Sequence, residues 1–197
     1  MNSSTQLGAK PAAFELTGRR VLVAGAAGGI GMATSHLCAS LGAQVIGVDL
    51  QAPVFKDLES EAPPIAAFAC DLSSRQAVDR LARDTGPVDC LVDLAAVCPF
   101  DDWTAPDWND ELMRVLAVNL GGPLNLMRAY FPAMIAQGNG RVVLTGSLAG
   151  RTGGLRAGPH YAASKGGVMR WFAGLHNAVL RITFWSMALP PAPLIRR

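Results

Sequence analysis

The sequence predicts an α/β fold, a doubly wound parallel sheet held between helical layers, and two observations carry that expectation. Short β-branched runs alternate along the chain with longer amphipathic stretches, the pattern of parallel strands joined by crossover helices. The runs are also hydrophobic almost throughout, as strands covered by helices on both faces must be. No internal repeat interrupts this order.

The expected strands are residues 20–24, 44–48, 65–69, 88–94 and 141–145, with a less distinct sixth at 181–188. Between them, helices are expected at 30–41, at 74–84 with Ser73 and Ser74 as a start signal, at 106–137, and from Tyr161 to about Val179. The long third helix should bend or break at Asn119-Leu120-Gly121-Gly122-Pro123, because two glycines and a proline weaken a helix interior. Pro63-Pro64 reads as a loop. Met1 to Ala13 is polar and reads as a flexible tail, which leaves residues 14–197 as one domain.

Composition narrows the function classes. In 197 residues, 50% are hydrophobic and the formal net charge is only +2, so the chain has apolar surface enough to offset the entropy of ordering. Lys and Arg are scattered apart from Arg196-Arg197, which argues against a nucleic-acid partner. The longest apolar candidate for a membrane span, 182–195, is short and carries Pro190, Pro191 and Pro193, so no membrane association is expected. Met1 to Phe14 lacks the apolar centre of an export signal, and a cytoplasmic location follows as the expectation. Cys38, Cys70, Cys90 and Cys98 form no C-x-x-C pair and read as buried free thiols, with no structural zinc ligand set and no metal expected.

The stretch from Val21 to Gly31 passes from a buried strand through a glycine-rich turn into a helix. Glycine lets backbone amides approach a pyrophosphate, and the helix N-terminus adds unpaired N–H donors at the positive end of its dipole. Gly25, Gly29 and Gly31 are spaced G-x-x-x-G-x-G, which meets the commoner G-x-G-x-x-G fingerprint only approximately, and a tight turn with no ligand would use the same residues. Asp49 ends the second strand, where a carboxylate can accept hydrogen bonds from ribose hydroxyls or simply be solvated. Asp49 would repel a 2′-phosphate, and Ala26, Ala27 and Leu50 offer no cation to receive one, so NAD is expected over NADP.

Tyr161 and Lys165 stand four residues apart and would share a helix face, where the ammonium should lower the phenol pKa toward useful acid–base chemistry. A Y-x-x-x-K spacing alone is common in helices that do no chemistry. Joined to the glycine turn, it resembles the short-chain dehydrogenase/reductase family over residues 16 to about 170. Gly25 to Gly31 is similar to that family's T-G-x-x-x-G-I-G cofactor turn, with Ala24 in the threonine position. Asp71 in Cys70-Asp71-Leu72, Asn119 in Val118-Asn119-Leu120, and Ser147 in Thr145-Gly146-Ser147 fall in the family's order.

The resemblance implies a Rossmann-like fold and assigns roles. Gly25, Gly29, Ile30 and Gly31 would bind the dinucleotide with Asp49, while Asp71 and Leu72 would lie at its adenine and Ala95 and Ala96 at its nicotinamide ribose. Tyr161 would be the general acid/base, and Lys165 would lower its pKa and hold the nicotinamide ribose. Ser147 would stabilise the reacting oxygen and Asn119 would hold a water of the proton relay. Taken singly, each has a plainer reading: a turn serine, a helix-break asparagine, a capping aspartate.

Two departures from the family pattern stand out. Asp93-Leu94-Ala95-Ala96 occupies the place of its N-N-A-G, so Asp93 must find a donor or lie at the edge. Only 32 residues follow Lys165, room for a sixth strand but not for the family's last helix and strand. The expected function is NAD(H)-dependent interconversion of a secondary alcohol and its ketone by a homo-oligomer that associates through residues 106–137 and 161–179. The alternative is a truncated, catalytically impaired dinucleotide-binding scaffold. Arg151, Arg156 and His160 read as solvated loop charges or as contacts for an acidic substrate, and Trp103 and Trp108 as an entrance lining or helix packing.

Overall fold

Strand β1 (Arg20–Ala24) is the centre of the molecule, because its residues alternate between two cores. Val21 and Val23 face one side with Val45, Val92, Ala39 and Ala43, while Leu22 and Ala24 face the other with Val48, Val78, Leu126, Tyr130 and Phe172. Apolar side chains on both faces are what place β1 between two helical layers. The structure, a computed structural model, describes residues 15–56, 62–154 and 157–175.

Around β1 lie β2 (Gln44–Asp49), β3 (Ala66–Ala69), β4 (Cys90–Asp93) and β5 (Arg141–Leu144), all parallel, in the order β3-β2-β1-β4-β5. The strand order reverses between β2-β3 and β4-β5, so the carboxyl ends of β1 and β4 flank a crevice of the kind that holds ligands in open α/β sheets. The connecting helices are α1 (Gly29–Ser40), α2 (Arg75–Thr85), α3 (Trp108–Leu116), α4 (Gly122–Ala136), α5 (Ala149–Thr152) and α6 (Pro159–Leu175).

The sheet has five strands among the described residues, each within a few residues of its expected bounds. The expected sixth strand at 181–188 and the tail 1–13 lie outside the described residues. Ser74 caps α2, its hydroxyl accepting from the Ala77 N–H at 3.3 Å.

Where a bend or break is expected near Asn119, the α-helical repeat is interrupted without loss of the helix: the chain runs from α3 into α4 through a π-helical turn, Ala117–Gly121, with right-handed helical dihedrals at both flanks. A π turn accommodates one extra residue per turn without losing the helix, and such turns recur at functional sites. Gly122 is packed on Leu72, so a side chain there would press on the loop after β3.

Candidate active site

The residues assigned to the cofactor turn and to the acid–base chemistry lie at the carboxyl end of the sheet. The β1–α1 turn carries Gly25, Gly29, Ile30 and Gly31, and Asp49 ends the neighbouring strand. Asp71 and Leu72 follow β3, Ala95 and Ala96 follow β4, and Ser147 follows β5. Asn119 sits on the π turn, and Tyr161 and Lys165 on α6.

Gly25 has φ 77°, and a Cβ there would lie 2.6 Å from the Ala95 N. Gly31 abuts the Gly25 carbonyl so closely that a Cβ would overlap it. Gly29 differs, because a Cβ on it would meet no protein atom within 4 Å. Its surroundings are open, Gly28 supplies no capping side chain, and the first turn of α1 carries no acidic residue. This end of α1 therefore presents backbone donors to an anion with no side chain competing for them, which fits a pyrophosphate.

Asp49 is tied to that turn. Its Oδ2 accepts from the Ala27 N–H at 2.9 Å and its Oδ1 from the Leu50 N–H at 2.7 Å. Asp71 is exposed and folds back on its own loop, accepting from the Ser73 N–H at 2.9 Å and the Ser73 hydroxyl at 2.6 Å. Leu72 is buried. Asn125 on α4, which the sequence did not single out, holds this loop by donating from Nδ2 to the Leu72 and Ser73 carbonyls at 2.9 and 3.3 Å.

Asn119 is 1% exposed and clamps the segment after β4. Its Oδ1 accepts from the Val97 N–H at 2.8 Å, and its Nδ2 donates to the Val97 carbonyl at 2.8 Å and to Ser164 Oγ at 3.2 Å. The Ser164 hydroxyl in turn donates to the Tyr161 carbonyl at 2.8 Å, so α6 and the β4 loop are braced through one amide.

Lys165 is buried and donates from Nζ to the Thr145 carbonyl at 3.0 Å. Burial lowers its pKa, opposed by the charge of Asp93. Asp93 is also buried, at 4% exposure, and has found a donor: the Ala95 N–H, 3.1 Å from Oδ1. Burial pushes the Asp93 carboxyl up to about 6, against the pull of Lys165 and of that N–H. The carboxylate therefore lies inside the site rather than at its edge.

The Tyr161 phenol corrects an expectation. Burial pushes its pKa up, the neighbouring Ser147 hydroxyl pulls it down, and Cys98 pushes up again. Lys165, directed at Thr145, is not what holds the phenol down here; Ser147 is. Two further expectations change: Cys98 is exposed rather than buried, and His160, read as a loop charge, is 1% exposed at the start of α6. Trp103 is exposed, whereas Trp108 packs its ring edge-on against His160 at 5.1 Å. Arg151 is exposed and Arg156 lies outside the described residues. A separate groove of about 560 Å³ runs between α5 and α6, lined by Gly150, Met169, Phe172 and Ala173, and none of Asn119, Ser147, Tyr161 and Lys165 lines it.

A parallel sheet with an anion-ready helix N-terminus at its topological switch point, facing a tyrosine–serine pair and a buried lysine, defines a nucleotide-binding α/β protein with acid–base groups at the ligand crevice. Residues 19–189 match the family model for short chain dehydrogenases. The chain belongs to that family of oxidoreductases. It is 35% identical over 181 residues to an uncharacterized short-chain type dehydrogenase/reductase of Sinorhizobium fredii, covering 84% of this chain and 68% of that protein. It is 37% identical over 158 residues to a short-chain dehydrogenase/reductase of Penicillium canescens, covering 76% of this chain and 58% of that one. Among solved structures, a metagenomic short-chain oxidoreductase in complex with NADP superposes with TM-score 0.77 at 30% identity, over 89% of this chain and 85% of that one. A 3-oxoacyl-[acyl-carrier protein] reductase from Brucella melitensis gives 0.75 at 27%, over 95% and 76%. The chain thus spans about three fifths to two thirds of the length of these two curated relatives. Among the described residues no helix is long and apolar enough to cross a membrane.

Proposed function

We propose that this chain is an NAD(H)-dependent oxidoreductase that interconverts a secondary alcohol and its ketone, with Tyr161 as general acid/base. The observation that carries the reading is the gathering of Ser147, Tyr161 and Lys165 at the same end of the sheet as the glycine turn. When bound, the nicotinamide supplies or accepts the hydride.

The protein's own residues do the rest. Gly25 and Gly31 shape the turn and Gly29 leaves open the space in front of α1, so backbone donors hold the pyrophosphate. Ile30, Ala95 and Ala96 border the cofactor path, with Asp71 and Leu72 at its adenine end. Tyr161 gives its phenolic proton to the carbonyl oxygen in reduction and takes the hydroxyl proton in oxidation. Ser147 donates to the same oxygen as charge develops on it. The Lys165 ammonium, held on the Thr145 carbonyl, contributes positive potential and a ribose contact. Asn119 fixes the backbone at Val97, beside which a relay water would stand.

Asp49 supports NAD over NADP. Its carboxylate is fixed beside the turn by two backbone N–H groups, where a 2′-phosphate would meet like charge. The relative that holds NADP makes this preference a matter for direct measurement. A homo-oligomer associating through residues 106–137 and 161–179, acting in the cytoplasm on a small alcohol or ketone, completes the proposal.

The test is fluorescence titration with NADH beside NADPH, followed by a ketone screen for NADH oxidation in the protein and in Tyr161→Phe. At least tenfold tighter NADH binding, with turnover that falls by about 10²–10⁴-fold in Tyr161→Phe while binding stays, is the expected result. Binding without turnover in the unaltered protein would instead identify a dinucleotide-binding scaffold. Preference for NADPH would overturn the role given to Asp49.

A further inference from the structure

Between the loop after β4 and the first residues of α6 lies a group of side chains that the proposed reaction does not use. Asp101, Glu111 on α3 and His160 bring one donor atom each to within 4.8 Å of one another. His160 is fully enclosed, and neither of its ring nitrogens has a hydrogen bond. Both carboxylate oxygens of Asp101 are likewise buried without one. A buried polar atom left unpaired is costly and uncommon, so four on two facing side chains call for a common partner.

The spacing indicates what that partner is. His160 Nε2 and Asp101 Oδ1 are 3.4 Å apart, and their geometry makes no hydrogen bond. Two ligands at about 2.1 Å from a tetrahedral ion stand about 3.4 Å apart, so this pair already has the separation of neighbouring ligands. The third donor needs a modest side-chain rotation to join them. Glu111 is oriented by Arg114, which donates to its Oε1 at 2.5 Å and its Oε2 at 2.9 Å, as ligand carboxylates are commonly held from behind. Two carboxylates against one guanidinium leave a net negative charge for a cation to balance. The Trp108 ring edge covers the imidazole, and Gly158 lies so close to it that a Cβ would collide with the ring.

We propose that Asp101, Glu111 and His160 bind a divalent transition-metal ion, zinc foremost, which fastens the β4–α3 loop to the start of α6 immediately before Tyr161. One imidazole and two carboxylates make a borderline ligand set that suits zinc or manganese better than calcium or magnesium. Three protein ligands leave a fourth position for water. The ion is a clamp and takes no part in the hydride or proton steps.

The test uses the full chain, stripped with a chelator, dialysed, and titrated with Zn²⁺ by calorimetry and with Co²⁺ by visible absorption. The expected result is one ion per chain, with tetrahedral Co²⁺ bands and a melting temperature raised by Zn²⁺. Asp101→Asn and His160→Gln should each weaken binding at least tenfold and abolish the Zn²⁺ effect on melting. Should His160→Gln not fold, Asp101→Asn and Glu111→Gln read the same ligand set. Absence of saturable one-to-one binding in the unaltered protein, or unchanged binding in Asp101→Asn, would overturn the proposal. So would a melting temperature that responds to pH and not to Zn²⁺, which would make the pair an imidazolium–carboxylate contact.

Discussion

The Lys165 ammonium donates to the Thr145 carbonyl oxygen at 3.0 Å, and Thr145 is in turn bound to Asp93, its hydroxyl and N–H donating to the Asp93 carbonyl at 2.7 and 3.2 Å. The end of β5 is thereby fastened to both β4 and α6. A buried cation and a buried carboxylate share one small region, and each shifts the other's titration.

Asp93→Asn should be more stable than the unaltered protein at neutral pH. The Asp93 carboxyl is raised from its ordinary 3.8 to about 6, so the folded state holds that proton more tightly than the unfolded state does. Its stabilising contribution is full below about 4 and is lost as pH rises through about 6. The shift corresponds to about 3 kcal/mol at most, with Lys165 sharing in it. Urea unfolding at pH 8 should favour Asp93→Asn, and the gap should close by pH 4. A constant gap across that range would show that Asp93 does not titrate there.

Gly29→Ala and Gly31→Ala should separate binding from folding. A methyl at position 29 enters open space, so melting should stay the same or rise slightly while dinucleotide affinity falls at least tenfold. A methyl at position 31 overlaps the Gly25 carbonyl, so the turn must move and the protein should lose about 2 kcal/mol or more. Melting curves and NADH titration on both variants check this. Equal NADH affinity in Gly29→Ala would place the ligand elsewhere.

Asn119→Ala should cost about 2–4 kcal/mol, because the half-buried Val97 N–H and carbonyl both lose their partner. Hydrogen exchange at the Val97 amide should speed up more than exchange in β4. Protection at Val97 equal to that in the unaltered protein would mean that the clamp is not what orders this segment.

Ser147→Ala should move the pH profile of alcohol oxidation. The Ser147 hydroxyl holds the Tyr161 phenol down against burial, so its removal leaves the phenolate harder to form. Since oxidation needs the deprotonated phenol, the rising limb of kcat against pH should shift to higher pH as the rate falls. A lower rate with an unmoved limb would assign Ser147 to the substrate oxygen alone.

The layer order and the site's location are local properties of the chain. Apolar runs such as Val21–Val23 and Val45–Val48 separate strands from amphipathic helices by period alone, and Gly25, Gly29 and Gly31 mark the turn by their spacing, Gly25 because of its positive φ and Gly31 because a Cβ would overlap the Gly25 carbonyl. The Tyr161–Lys165 spacing likewise sets two groups on one face of α6. What those groups bond to depended on the tertiary structure. Thr145 and Val97 contribute backbone atoms, which carry no side-chain signal, and Asn125 reaches residues more than fifty positions away. The π turn at Asn119 arose because packing against α6 and the β4 loop favoured a continuous helix where the glycines and proline suggested a break. Asp101, Glu111 and His160 meet only because α3, α6 and the β4 loop converge, and burial of Tyr161 and Asp93 depends on the same convergence. A residue's type and spacing set what it is able to do; desolvation and partners brought from distant sequence decide at which pH, and with which neighbour, it does so.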